Sequence, residues 1–309
     1  MEETYLELRD QIKSIVKTHL INNNGLVMGQ CLTALGWVGG TLPELYENDG
    51  MVELSMADVA GGGFAVGAAL AGRRPIYVIR YQGFNWFNAP IIINYACKSK
   101  EIWGRPCPLF IRSIAMEGAI GPVAGSSHHS LYYRMPGIKI LSPMTPEEYR
   151  SSYLKFMNDD EVYYISEHRG SYANKKELKD IIYDEPDYVL CPISITRFAS
   201  VEAALELLDI YNLKVAVLHI FEIKPLVLNI NGMKIIKNSK FGMCVLDDDY
   251  VDGIAKSIAL DIAHKTKIIP DTMGLKNKSA GFSLKDDNLP PTKEEIVQFV
   301  LNKCRAEGE

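Results

Sequence analysis

Short apolar runs of strand length alternate with segments of helical period along most of this chain, and few folds accommodate that alternation. Parallel strands need connections of a dozen residues or more, usually helices, so the pattern reads as α/β with mostly parallel sheets. Residues 3–22 place Leu6, Ile12, Ile15, Val16 and Leu20 at helical spacing, and Asn22-Asn23-Asn24-Gly25 stops the run. Strands are expected at 26–29, 51–54, 76–79, 108–112, 138–141 and 162–165, with helices over 61–72, 87–99 and from Pro143 onward. Thr41-Leu42-Pro43-Glu44 reads as a further helix start, with proline in the first turn. The charged, turn-rich stretch 171–192 has the look of a linker. Beyond it a second pattern begins, with strands at 193–196, 215–218 and 243–246 and helices over 200–211, 251–264 and 293–303. The expected fold class is therefore α/β in two domains, 1–170 and 193–309, each a mostly parallel sheet flanked by helices. A chain of 309 residues is long enough for two such cores.

A formal net charge of -5 and the lack of any Lys/Arg run argue against a nucleic-acid surface, since phosphate binding wants a basic excess. The acidic start Met1-Glu2-Glu3-Thr4 does not read as a signal peptide, and the apolar runs are too short to span a membrane, so a cytoplasmic location is expected. The six cysteines are scattered without a C-x-x-C pair and read as small core residues. The histidines include the adjacent pair His128-His129 but no metal-ligand spacing.

Asp58-Val59-Ala60-Gly61-Gly62-Gly63 leads into a helix of alanine and glycine. Glycines before a helix N-terminus suit an anion, but the order fits neither G-x-G-x-x-G nor a P-loop. Small residues at 67–72 equally suit close approach of another helix or chain. Asp58 itself has a modest reading as a cap or a partner of the helix dipole.

Larger motifs give that acid another reading. The run from Val52 to Pro75 resembles a segment of the β subunits of 2-oxo acid dehydrogenase E1 components, a segment shared with the pyrimidine-binding domain of transketolase. Tyr81-Gln82-Gly83-Phe84, Asn94-Tyr95-Ala96-Cys97-Lys98, Ser126-Ser127-His128-His129-Ser130 and Pro136–Pro143 follow in the family's order. The resemblance covers nearly the whole chain, weakly in its second half, where it implies a transketolase C-terminal-like domain.

What the resemblance implies is thiamine diphosphate chemistry. That cofactor reacts as the ylide of its thiazolium C2, which it generates through its own imino tautomer when a carboxyl group hydrogen-bonds the pyrimidine N1′. The family's acid, almost always glutamate, falls on Asp58, one methylene shorter. Phe84 then stacks on the aminopyrimidine, with Tyr81 as its neighbour in the same loop, and Gln30 stands where the E1 β chains carry an acid. His128 and His129 fall on the family's active-site histidine loop, as donors to the substrate carbonyl or carboxylate. The stretch from these histidines to Pro136 is shorter than in E1 β chains by about one helical turn. Arg80 and Arg112 are candidate anion binders, or arginines that pair with acids.

The family holds the cofactor's diphosphate and Mg2+ on a separate domain with a G-D-G motif, and none is found here: Asp252-Gly253 follows Val251 and lacks the context. The resemblance therefore implies a partner, an α-type chain in an α2β2 heterotetramer, that holds the Mg2+. The implied activity is decarboxylation of a 2-oxo acid or transfer of its acyl group, with a lipoyl acyltransferase as a further partner. Two alternatives stand beside it. One is a split transketolase-like enzyme moving a two-carbon ketol unit between sugars. The other, of a different class, is a catalytically degenerate subunit kept for assembly or regulation, which Asp58, Gln30 and the short histidine loop favour.

Overall fold

The computed structural model describes residues 6–117, 120–121 and 125–306. The chain divides into two compact units, the first running to Glu177 apart from residues 117–121 and the second from Leu178.

The first unit alternates helix and strand. In order it comprises α1 (Leu8–Asn22), β1 (Leu26–Gln30), α2 (Ala34–Gly40), β2 (Met51–Leu54), α3 (Asp58–Leu70) and β3 (Pro75–Ile79). Then come α4 (Asn85–Ile91), a π-helical segment (Ile92–Ala96), α5 (Cys97–Trp103), β4 (Leu109–Ala115) and α6 (Ser130–Tyr133). The unit closes with β5 (Ile138–Leu141), α7 (Pro146–Met157) and β6 (Val162–His168). Six strands pair in the order β2-β1-β3-β4-β6-β5, every pair parallel. Every residue of β3, β4 and β6 is buried, as expected of strands covered on both faces by helices. On the helices, α1 buries Ile12, Ile15, Val16 and Leu20 as the sequence period expects, but the stripe opens at Leu8, because Leu6 lies before the helix and is exposed.

The second unit holds β7 (Tyr188–Pro192), α8 (Thr196–Tyr211), β8 (Val215–Val217), β9 (Glu222–Lys224), α9 (Gly232–Lys237), β10 (Met243–Tyr250), α10 (Ile254–Thr266), β11 (Asp271–Leu275) and α11 (Lys293–Ala306). Its parallel sheet runs β11-β10-β7-β8 and packs on α8 and α11 through Leu190, Leu207, Val217, Leu246, Ile296 and Val300. Among the described residues no helix is long and apolar enough to cross a membrane.

Four local expectations need correcting. No helix follows Pro43: Asn48-Asp49-Gly50 ends the segment after a single 3-10 turn. The helix lies earlier, at α2, where Gly36 to Gly40 all have positive φ, a winding that three glycines among five residues make tolerable. The helix expected over 87–99 is a longer run, 85–103, broken by a π segment just after Pro90, whose missing N–H shifts the hydrogen-bond ladder. The stretch 171–192 is not a free linker. At one end Ser171 and Tyr172 are buried, and at the other Tyr188–Pro192 is a fully buried strand. The strand expected at 193–196 is thereby displaced. Ser194 has φ of 53°, which ends extended backbone, and Thr196 already opens α8.

Candidate active site

The strand order of the first unit marks a place for a site. From β1 the chain moves to β2 on one side, yet β3 lies on the other side of β1. Connections leaving in opposite directions open a crevice at the carboxyl ends of such strands, where α/β proteins bind ligands. A cavity of about 250 Å³ lies there. Gln30 at the end of β1, Cys31 just past it, Tyr77 to Ile79 of β3 and Arg80 form its wall, and Met56, Asp58, Tyr81 and Phe84 complete it. Gln30, Asp58, Tyr81 and Phe84, from separate parts of the sequence, thus share one cavity.

Asp58 is the first residue of α3, with Ala57 as the N-cap, so its carboxylate does not cap the helix. It accepts a hydrogen bond at Oδ1 from Nδ2 of Asn88, at 2.9 Å. The Asn88 amide also donates to the carbonyl of Phe84 at 3.0 Å, and its own Oδ1 accepts from the Tyr77 hydroxyl at 2.6 Å. Asn88 and Tyr77 are buried, whereas Asp58 is half-buried. Burial, and secondarily the charge of Asp58, push the Tyr77 phenol far up, so it remains a donor.

The glycines at the start of α3 serve this arrangement. A Cβ on Gly61 would stand 2.9 Å from the Tyr77 hydroxyl, and one on Gly62 3.2 Å from the amide oxygen of Asn88. Gly63 and Gly67 differ, because a Cβ on either meets nothing within 4 Å. The phosphate-cradle reading gains no support from this geometry: two of the glycines admit side chains of the same unit.

Phe84 and Tyr81 are neighbours, with ring centroids 6.1 Å apart and planes tilted by 55°, and Phe84 is half-buried at the cavity wall. Gln30 brings a buried Nε2 that has no hydrogen-bond partner among the described residues. Of the two arginines, Arg112 is wholly buried and bound to Glu167 through Nε at 2.7 Å and Nη2 at 2.9 Å, so it pairs with an acid. Arg80 donates to the carbonyl of Cys31 at 3.3 Å and lies over the Tyr81 ring, and it has no carboxylate partner among the described residues.

Neither His128 nor His129 lines the cavity. The backbone N–H of His128 donates to Oε1 of Gln82 at 2.7 Å, and its partly exposed imidazole meets the edge of Trp86 at 6.3 Å between centroids. His129 is buried, with Nδ1 3.0 Å from the Ser166 hydroxyl, which accepts from Nε2 of Gln82 at 2.8 Å. Gln82 thus ties the histidine loop to β6 and to the loop that carries Phe84.

Sequence reasoning missed Tyr77, Gln82, Asn85, Asn88 and Ser166. A signal existed: Gln82, Asn85 and Asn88 recur every third residue through an apolar, aromatic stretch, which puts three amides on one helical face. All three are buried, and Asn85 bonds Ser113 and Tyr164.

Residues 28–175 match the family model described as transketolase, pyrimidine binding domain. The chain is 29% identical over 161 residues to the β subunit of acetoin:2,6-dichlorophenolindophenol oxidoreductase from Cupriavidus necator, covering 50% of this chain and 47% of that protein. It is 28% identical over 154 residues to the β subunit of 2-oxoisovalerate dehydrogenase from Bacillus subtilis, 47% of this chain and 46% of the relative. The β subunit of the pyruvate dehydrogenase E1 component from Rickettsia felis is 24% identical over 192 residues, 59% of this chain and 58% of the relative. The chain thus spans about half the length of the curated relatives it matches. Among solved structures, a split gene transketolase described as an inactive β4 tetramer superposes with a TM-score of 0.74 at 15% identity, covering 97% of this chain and 99% of that one. That likeness establishes a transketolase-like α/β fold.

Proposed function

We propose that this chain is the β-type subunit of a two-chain thiamine diphosphate enzyme acting on a 2-oxo acid, a reading supported by the match of residues 28–175 to the transketolase pyrimidine-binding domain. The observation that carries the reading is the single cavity joining the Asp58 carboxylate to the Phe84 ring.

The donor set fits an aminopyrimidine. Such a ring needs an acid at a ring nitrogen, a flat apolar contact on its face and a neutral hydrogen-bonding group for its remaining edge. Asp58, Phe84 and the unpartnered amide nitrogen of Gln30 provide these, with Tyr81 beside Phe84. When bound, thiamine diphosphate supplies a nucleophilic carbon that adds to the substrate carbonyl. The part left to this chain is to hold the ring and present Asp58 Oδ2 to its nitrogen. Arg80, at the same wall and without an acid partner, is placed to attract an anionic substrate group. His128 is the histidine for the substrate carbonyl or carboxylate, and His129, through Ser166, positions its loop.

The diphosphate and Mg2+ belong to an α-type partner in this reading. Val59 and Phe64 of α3 and Trp86 and Phe87 of α4 expose more than half of their surface, and Gly63 and Gly67 leave helix backbone bare beside Phe64. A partner helix would cover that face. Two further points stay within the proposal: a cytoplasmic location, and a lipoyl acyltransferase as acyl acceptor.

The test is to co-express the chain with a candidate α-type chain carrying a G-D-G motif and to measure thiamine diphosphate binding with Mg2+ by calorimetry, with Asp58→Ala alongside. Saturable binding by the complex alone, weakened in the variant, supports the shared site. Decarboxylation of 2-oxo acids against ketol transfer between sugars then separates the 2-oxo acid enzyme from the split transketolase-like one. A well-formed complex that binds no cofactor overturns the catalytic reading in favour of the assembly or regulatory subunit.

A further inference from the structure

We propose that Asn88, backed by Tyr77, is the positioning residue of this site: its one amide fixes the Asp58 carboxylate and the Phe84 backbone relative to each other. The inference deepens the cofactor reading above and rests on it for the identity of the ring. Asp58 meets that ring at its edge and Phe84 meets it on its face, so the group that spans them sets both contacts together.

The amide orientation is determined by its neighbours. Nδ2 has two hydrogens and faces two groups that only accept, Oδ1 of Asp58 at 2.9 Å and the carbonyl of Phe84 at 3.0 Å. The other end of the amide receives the Tyr77 hydroxyl at 2.6 Å, which holds the amide in this rotamer. A flipped amide would set its oxygen against two acceptors and leave both Asp58 Oδ1 and the Phe84 carbonyl without this donor. With Oδ1 of Asp58 occupied, Oδ2 accepts no hydrogen bond among the described residues and is the atom left for the cavity.

Such a clamp also answers the substitution of aspartate for glutamate. A shorter acid reaches its ring only if its backbone and carboxylate are held in place, and an error of about 1 Å at a reacting centre costs on the order of 100-fold in rate. The chain commits buried side chains from β3 and α4, and glycine at both 61 and 62, to that holding.

Donation to a carboxylate favours its charged form. Few other groups bear on Asp58. Of the elements packed on α3, β1 and α4 carry no titratable side chain, β3 offers Tyr77, the π segment offers Tyr95, and Arg112 of β4 is taken by Glu167. Around the cavity Cys31, Arg80 and Tyr81 complete the set.

The experiment is a pH titration of the full chain with 13C-labelled aspartate carboxyls, the Asp58 resonance being assigned by Asp58→Asn. Asn88→Ala is expected to raise the Asp58 midpoint. Asn88→Asp, which keeps the side-chain shape and the Tyr77 contact, raises it further because two carboxylates repel. Tyr77→Phe shifts it in the same direction by less. An unchanged Asp58 midpoint in Asn88→Ala and Asn88→Asp overturns the proposal, and a lowered melting temperature with no change in titration does the same by showing a merely structural role. In the co-expressed complex, Asn88→Ala is expected to weaken thiamine diphosphate binding roughly tenfold or more. Wild-type complex binding with no loss in Asn88→Ala overturns the positioning role. A moved midpoint in a chain whose wild-type complex binds no cofactor upholds the clamp and overturns the cofactor reading instead.

Discussion

The hydroxyl of Tyr77 occupies the space that a side chain on Gly61 would need, with 2.9 Å between it and a Cβ built there. In most helices Gly→Ala is stabilising by roughly 0.5–1 kcal/mol. At position 61 the gain is offset by displacement of a buried phenol that cannot move freely. Gly61→Ala is expected to leave the melting temperature within a few degrees of wild type while weakening cofactor binding by the co-expressed complex. Melting curves and calorimetry on the same preparations check this, and a variant binding as tightly as wild type would remove any need for glycine there.

Gly67 gives the opposite expectation. Its Cβ would meet nothing, and Phe64 on the same helix is 62% exposed. Gly67→Leu should leave the isolated chain at least as stable, since leucine exceeds glycine in helix propensity by up to about 1 kcal/mol. Pairing with an α-type chain should be lost, because bulk now stands where a partner helix has to approach. Sedimentation of the co-expressed chains reads this directly, and an intact heterotetramer would place the interface elsewhere.

Much of this was legible in the sequence, for reasons that differ by element. The strands of the first unit read correctly because a parallel strand buried on both faces is a continuous β-branched and aromatic run, as in Pro75–Ile79. By contrast, β7 was hidden because Asp184-Glu185-Pro186-Asp187 gave its surroundings the composition of a turn. Asp58, Gln30, Tyr81 and Phe84 were legible as neighbours through the family resemblance of their motifs, and they share one cavity. Tyr77 was not, and the three-residue spacing that marks Asn88 does not disclose its partners, because a bond between β3 and α4 leaves no mark in local spacing. The histidines show the limit of adjacency. His128 and His129 read alike in sequence, yet side chains of successive residues point apart, and only His129 reaches Ser166.

Arg112 carries a structural prediction. Its guanidinium is buried with the Glu167 carboxylate, which also accepts from Tyr149 at 2.8 Å and Tyr172 at 2.7 Å. Removing one member of a buried pair strands the other charge and costs about 3–5 kcal/mol, whereas replacing both by apolar groups of similar size is often neutral. Arg112→Met should therefore destabilise strongly in urea melts, and Arg112→Met with Glu167→Leu should recover much of the loss. A double variant no better than the single one would mean that the tyrosine hydroxyls, left without their acceptor, dominate the cost.

His19 sets a pH dependence for the fold. It is 1% exposed, its Nδ1 lies 3.0 Å from the Tyr153 hydroxyl, and burial holds its pKa down to about 4. The native chain keeps the ring neutral where the unfolded chain, near the ordinary value of 6.5, takes up a proton. Stability from this group is thus complete above about pH 6.5 and falls as pH drops towards 4, by about 3 kcal/mol over that window. His219 shifts in the same direction, to about 3, through burial and the Arg197 charge beside it, so the informative quantity is a difference. Urea melts of wild type and His19→Gln between pH 7.5 and 4 should converge as the pH falls, the wild type losing stability faster. Parallel curves would mean that His19 titrates alike in the folded and unfolded chain.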